Sequence, residues 1–124
     1  MLRKYLASTL ALLSLILFSS CEKDPEVKTI EYVYLGIDSV TVTSVYLHWT
    51  QSHSDIFKEY QVHYSKKQGF APSSGTLYKI FSNRYTTSTS VDTLVTNQPY
   101  YFRVRLVKSD ATTVDSEEEA AIPK

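Results

Sequence analysis

An alternation constrains this chain more than any other feature. From residue 29 onward, short runs rich in Val, Ile, Thr and Tyr place apolar side chains at every second position, with polar turn clusters between them. A period of two is the mark of strands that bury one face, and no helical period competes with it beyond residue 27. The runs are 29–37, 43–50, 60–66, 76–81, 87–93, 100–107 and 112–122, the last interrupted by Glu117, Glu118 and Glu119. Seven such strands predict an all-β fold, a seven-stranded antiparallel β-sandwich.

The same alternation assigns faces. Val33, Leu35 and Ile37 share one side of their run, as do Val45, Leu47 and Trp49, then Tyr60, Val62 and Tyr64, then Tyr100, Phe102, Val104 and Leu106. These sets predict the core between the two sheets. With a single Cys in 124 residues there is no internal disulfide, so packing alone must hold that core. The 13 basic and 13 acidic side chains cancel, which argues against a nucleic-acid surface.

The first twenty residues read differently. Arg3 and Lys4 precede an apolar stretch over 10–18, and the small Ser19 and Ser20 stand before Cys21, which is the order of an export signal. A membrane-spanning helix is the rival reading. It needs roughly 20 mainly apolar residues, and Ser8, Thr9 and Ser14 interrupt a shorter run. Phe18-Ser19-Ser20-Cys21 resembles the lipobox of bacterial lipoproteins, with Phe18 where Leu is usual. The resemblance implies a signal peptide over 1–20 and acylation of Cys21 as the mature N-terminus. It also implies a partner, the membrane, held through a lipid anchor at Cys21.

Residues 21–29 then form a charged tether containing Glu22-Lys23-Asp24-Pro25-Glu26, a composition that stays solvated. It is similar to the acidic, Lys-containing signal that follows the lipidated Cys in Bacteroidetes-type surface lipoproteins. That similarity implies the outer membrane, with the domain facing the cell exterior. An ordinary charged linker is the alternative.

Within 30–124 a second resemblance appears. Leu94 followed by Tyr100, Phe102, Val104 and Leu106 resembles the corner signature of fibronectin type III domains, and Trp49 with Tyr60, Val62 and Tyr64 matches that family's second and third strands. The resemblance covers about residues 30–123 and implies that the Tyr100 hydroxyl bonds back to main chain near Leu94, locking the crossover between the fifth and sixth strands. Where the family often carries Pro and Gly, this chain has Val95-Thr96-Asn97-Gln98-Pro99, so Asn97 must take the special turn conformation. The loop before the last strand carries Lys108-Ser109-Asp110 rather than Arg-Gly-Asp, so integrin binding does not carry over.

Candidate chemistry is sparse. Ser52-His53-Ser54-Asp55 holds the residue types of a hydrolytic triad, but neighbours on one loop do not converge as a triad must. His48, His53 and His63 lack zinc-ligand spacing, Asp115 with Glu117–Glu119 lacks a calcium loop, and Gly36, Gly69 and Gly75 are scattered. No enzyme, metal or cofactor is expected. The possible ligand face is the outer surface shared by the third and sixth strands, where His63 lies near Tyr101, Arg103 and Arg105. A second possible contact is Phe70 in the irregular stretch 66–74, which either projects as an anchor or folds back over the sandwich.

The expected function is therefore a lipid-anchored envelope protein that displays one domain as a protein-interaction or spacer module. The alternative is a glycan-binding accessory of an outer-membrane uptake system, so the partner at the cell surface is another protein or a glycan. An exposed platform of two or more rings would favour the glycan, and Tyr101 and Tyr46 are the candidates for it.

Overall fold

A computed structural model describes residues 30–124; the signal segment, Cys21 and the tether over 21–29 lie outside the described residues. Eight strands form in chain order: β1 (Leu35–Val40), β2 (Val45–Trp49), β3 (Phe57–Ser65), β4 (Leu77–Phe81), β5 (Ser88–Val91), β6 (Tyr100–Lys108), β7 (Thr113–Asp115) and β8 (Glu119–Ala121). They pair antiparallel in two sheets. One has the order β1-β2-β5; the other runs β4-β3-β6-β7, with β8 also on β6.

The count of eight against the expected seven comes from the last run. Ser116 turns inward there and is buried. Its amide donates to the Val104 carbonyl at 2.9 Å, while its hydroxyl accepts from the Val104 amide at 2.9 Å. A side chain thus replaces one rung of the ladder, and the run divides into β7 and β8 on either side. Two starts also shift. The first strand begins at Leu35 rather than Thr29, although Val33 is already buried, and the third begins at Phe57 rather than Tyr60.

The core follows the inward residues of the alternation. Val33, Leu35, Val45, Leu47, Trp49, Tyr60, Val62, Val91, Leu94, Tyr100, Phe102, Val104 and Leu106 form one buried cluster between the sheets. Burial of such side chains contributes about 1.5–3 kcal/mol each. Trp49 crosses the interface, its ring centroid 5.7 Å from Tyr60 and 5.8 Å from Phe81. Tyr64 lies at the margin, half-buried among Tyr78, Tyr100 and Phe102.

Two phenols tie loops to this core. The Tyr60 hydroxyl accepts from the Ser52 amide at 2.7 Å and donates to the Arg84 carbonyl at 2.8 Å, and burial raises its pKa above the ordinary tyrosine value. The Tyr100 hydroxyl accepts from the Val95 amide at 2.9 Å, one residue beyond Leu94. Asn97 has φ 65°, the left-handed conformation that the turn requires of it.

Candidate functional site

The pairing of β3 with β6 brings the expected ligand-face residues side by side: His63 stands opposite Arg103, Gln61 opposite Arg105 and Ser65 opposite Tyr101. The face they share is not open. His63 is only 2% exposed, contrary to an outward, ligand-facing role. The reason is the chain between β3 and β4, which folds back across this surface. Its Thr76 hydroxyl lies 3.0 Å from His63 Nδ1, and the Tyr64 amide donates to the Thr76 carbonyl at 3.0 Å.

The other imidazole nitrogen, Nε2, lies 3.0 Å from Gln61 Oε1. The Gln61 amide nitrogen donates to Glu59 at 2.8 Å, which turns the amide oxygen toward the ring. The ring is therefore assigned as neutral with its proton on Nε2. Burial, reinforced by the nearby Arg105 charge, holds the His63 pKa below the ordinary histidine value.

Phe70 sits in the same fold-back and is 7% exposed, so it does not project as a contact for a partner. The Arg103 guanidinium lies 5.9 Å from its ring centroid. Arg103 also donates to the Ser116 carbonyl at 3.1 Å and stands 3.9 Å from Glu118, whose carboxylate accepts from the Gly69 amide at 2.8 Å. Gly69 has φ 74°, which a side chain would strain.

Arg105 is engaged as well. It donates to both oxygens of Asp115, at 2.7 and 3.0 Å, and this pairing raises its already high pKa. The Arg105 fork is taken up within the domain, and the Arg103 fork is turned to the Ser116 carbonyl with its Nε buried. Arg103 and Arg105 each keep about a quarter of their side-chain surface exposed, and Tyr101 borders an opening. Tyr101 lines a shallow groove of about 410 Å³ with Pro99, Ala120, Ala121, Ile122 and Lys124.

Ser52 and His53 are likewise occupied structurally. The Ser52 hydroxyl donates to the Glu31 carboxylate at 3.0 Å and the His53 amide donates to it at 2.8 Å, with Lys108 3.8 Å away. Among the described residues, no group of three or more His, Cys, Asp or Glu side chains gathers as a metal site.

The sheet β1-β2-β5 presents the opposite situation on its outer side. Tyr32 and Tyr34 are 61% and 65% exposed, with ring centroids 6.2 Å apart and planes inclined by 36°. Their neighbours Glu31 and Val33 point the other way, into the Ser52 loop and the core. Tyr46, on β2, is also exposed. The Tyr32–Tyr34 pair was not singled out from the sequence, although Glu31-Tyr32-Val33-Tyr34-Leu35 carries the signal: if Val33 and Leu35 point inward, both phenols point out.

Comparison with known proteins agrees with the fold. The fibronectin type III domain profile matches residues 34–121. No curated protein matches the sequence. Among solved structures, the FN1-FN3 domains of chicken CNTN1 superpose with TM-score 0.62 at 15% identity, over 77% of this chain and 33% of theirs. The sixth fibronectin type III domain of the human fibronectin type III domain containing protein 3 superposes with TM-score 0.60 at 16% identity, over 78% of this chain and 90% of its own. Pectate lyase PelI of Erwinia chrysanthemi, in complex with tetragalacturonic acid, superposes with TM-score 0.56 at 12% identity. That match covers 73% of this chain and 28% of the lyase, so the chain spans about a third or less of the CNTN1 and lyase chains.

Proposed function

Since the chain belongs to the fibronectin type III family, we propose that it is a lipid-anchored protein of the cell envelope that displays this sandwich as a protein-interaction or spacer module. The fold is typically a non-catalytic module. The observation that carries the reading is the family match over residues 34–121 behind a segment that ends Phe18-Ser19-Ser20-Cys21. A sandwich packed around one buried cluster holds its shape at the end of a tether, as a spacer or a docking platform must.

Acylation at Cys21 places the chain in the outer membrane, and the charged tether directs it to the exterior. One buried acyl chain holds only marginally at about 0.8 kcal/mol per methylene, whereas several hold firmly. The test is metabolic labelling with an alkyne fatty acid in the native host. The parent chain should take up label and fractionate with outer membranes, and Cys21→Ser should lose both properties. External protease on intact cells should then remove the domain. Label retained in Cys21→Ser would overturn the anchor, and protection from protease would overturn the outward orientation.

A second reading, a glycan-binding accessory of an uptake system, is favoured by one observation: the two exposed phenols at Tyr32 and Tyr34.

A further inference from the structure

Tyr32 and Tyr34 are the start of a longer strip. Beyond them on the same side of the segment comes Gly36, whose partner across the β1–β2 ladder is His48. A Cβ at Gly36 would collide with the His48 ring, so the missing side chain lets the imidazole lie on the backbone of β1. Asp38 fixes that ring, its Oδ1 2.5 Å from His48 Nδ1. The next outward residue of β2 is Tyr46, 43% exposed, opposite Ser39 and Ser90.

Four flat rings therefore follow one another along the segment before β1 and the outer face of β1 and β2. From Tyr32 to the Tyr46 row the strip spans six residues of extended chain, roughly 20 Å at about 3.3 Å per residue. Its backbone is rigid. The Thr50 amide donates to the Tyr34 carbonyl at 3.1 Å, and the Tyr34 amide donates to the Thr50 hydroxyl at 3.1 Å. The backbone that carries Tyr34 needs no ordering on binding, which removes part of the entropic cost of capture.

We propose that this strip is a binding site for a linear, uncharged polysaccharide. The inference rests on the glycan reading and names its site and ligand class. Sugar rings present flat C–H faces that stack on aromatic side chains, and hydroxyls that pair with polar neighbours. The strip supplies both, with Thr50, Ser88 and Ser90 interleaved among the rings. A protein partner would call for a continuous apolar patch without polar fixtures, whereas Val33, Leu35, Val45 and Leu47 are turned inward and Val40, at the end of β1, is the isolated exposed aliphatic residue of β1 and β2. Neither Lys nor Arg stands among the strip residues, and the carboxylates beside it are engaged, Asp38 by His48 and Asp92 by the Ser44 and Ser90 hydroxyls. The strip thus favours a neutral chain over an acidic one.

The test uses the full chain in detergent micelles, titrated calorimetrically with hydroxyethylcellulose, xyloglucan and galactomannan, and with polygalacturonate as the acidic comparator. At least one neutral polymer should bind. Tyr32→Ala with Tyr34→Ala should weaken it at least tenfold without moving the thermal midpoint. Gly36→Ala, which lifts the His48 ring off β1, should weaken it several-fold. Binding undiminished in the double variant would overturn the site while leaving the glycan reading standing, and would direct attention to the Tyr101 groove. No binding to any polymer would overturn both. Preference for polygalacturonate, or a protein partner lost in the double variant in place of a polysaccharide, would overturn the ligand class.

Discussion

The two outer faces of the sandwich are built from similar residues and end in opposite states. The face of β3 and β6 carries His63, Tyr101, Arg103 and Arg105, but a long connection folds over it and its charges pair at home. The face of β1 and β2, continued by Tyr34 just before β1, carries Tyr46 and His48, and among the described residues no segment lies across it. The difference lies in the connections. Residues 66–76 are long enough to return across their own sheet and bring Phe70 onto Arg103, whereas Thr41–Ser44 make only a tight turn between β1 and β2, closed by the Thr41 amide donating to the Ser44 carbonyl at 2.9 Å. Recognition chemistry that a loop covers becomes stability; the same chemistry left uncovered is available to a ligand.

The comparison breaks most completely at the core the two faces share. Trp49 sits on the inner side of β2, directly behind the open strip, and touches Tyr60 and Phe81 of the other sheet. Trp49→Ala should cost about 3–5 kcal/mol, against a total of about 5–15 kcal/mol for a domain of this kind. Chemical denaturation should lose both faces in one transition at a much lower midpoint. If amide exchange instead showed β3 and β6 protected while β1 and β2 exchanged freely, the faces would be separate stability units.

Phe70→Ala separates them. It removes the ring that closes the β3–β6 face and leaves β1 and β2 untouched. A stabilisation loss of about 3 kcal/mol is expected, the lower end for a buried ring, because Phe70 covers the sheet from a loop. Amides near Gly69 and Thr76 should lose exchange protection while those of Tyr34 and Thr50 keep theirs. A loss under about 1 kcal/mol, the range of an ordinary surface change, would mean that the fold-back holds without its aromatic ring.

The sequence was informative about sidedness and poor about cover. Alternation placed Val45, Leu47, Trp49, Tyr60, Val62, Phe102, Val104 and Leu106 inward, where they are buried, because the period of a strand is a local property. The Tyr100–Val95 bond and the left-handed Asn97 are what the resemblance to the fibronectin type III corner implies. His63 misled for the opposite reason, and for Phe70 the sequence leaves both projecting and folding back open. Whether an outward residue meets water depends on a contact with a loop, and no period records that. The division of the last run was hidden similarly: Ser116 buries a hydroxyl in the ladder, and only its pairing with Val104 shows why the run divides.

The smallest of the expected effects concerns the proton on the closed face. Folding holds His63 neutral with its pKa lowered by burial first and by Arg105 second, Asp115 opposing. In the unfolded chain the ring titrates near 6.5. Above that value both states are neutral and the ring adds no pH dependence. As pH falls below it, the unfolded chain takes up the proton first, so stability drops until the pH passes the lowered native pKa, where the loss is complete. Thermal midpoints between pH 7.5 and 5 should therefore fall more steeply for the parent than for His63→Gln, which cannot titrate. Phe70→Ala, by opening the cover, should shrink that excess slope by letting the native ring reach water. An excess slope that survives Phe70→Ala unchanged would place the cause in the Gln61 and Thr76 bonds rather than in the aromatic cover, and the contrast between the two faces would then rest on hydrogen bonding rather than on exclusion of solvent.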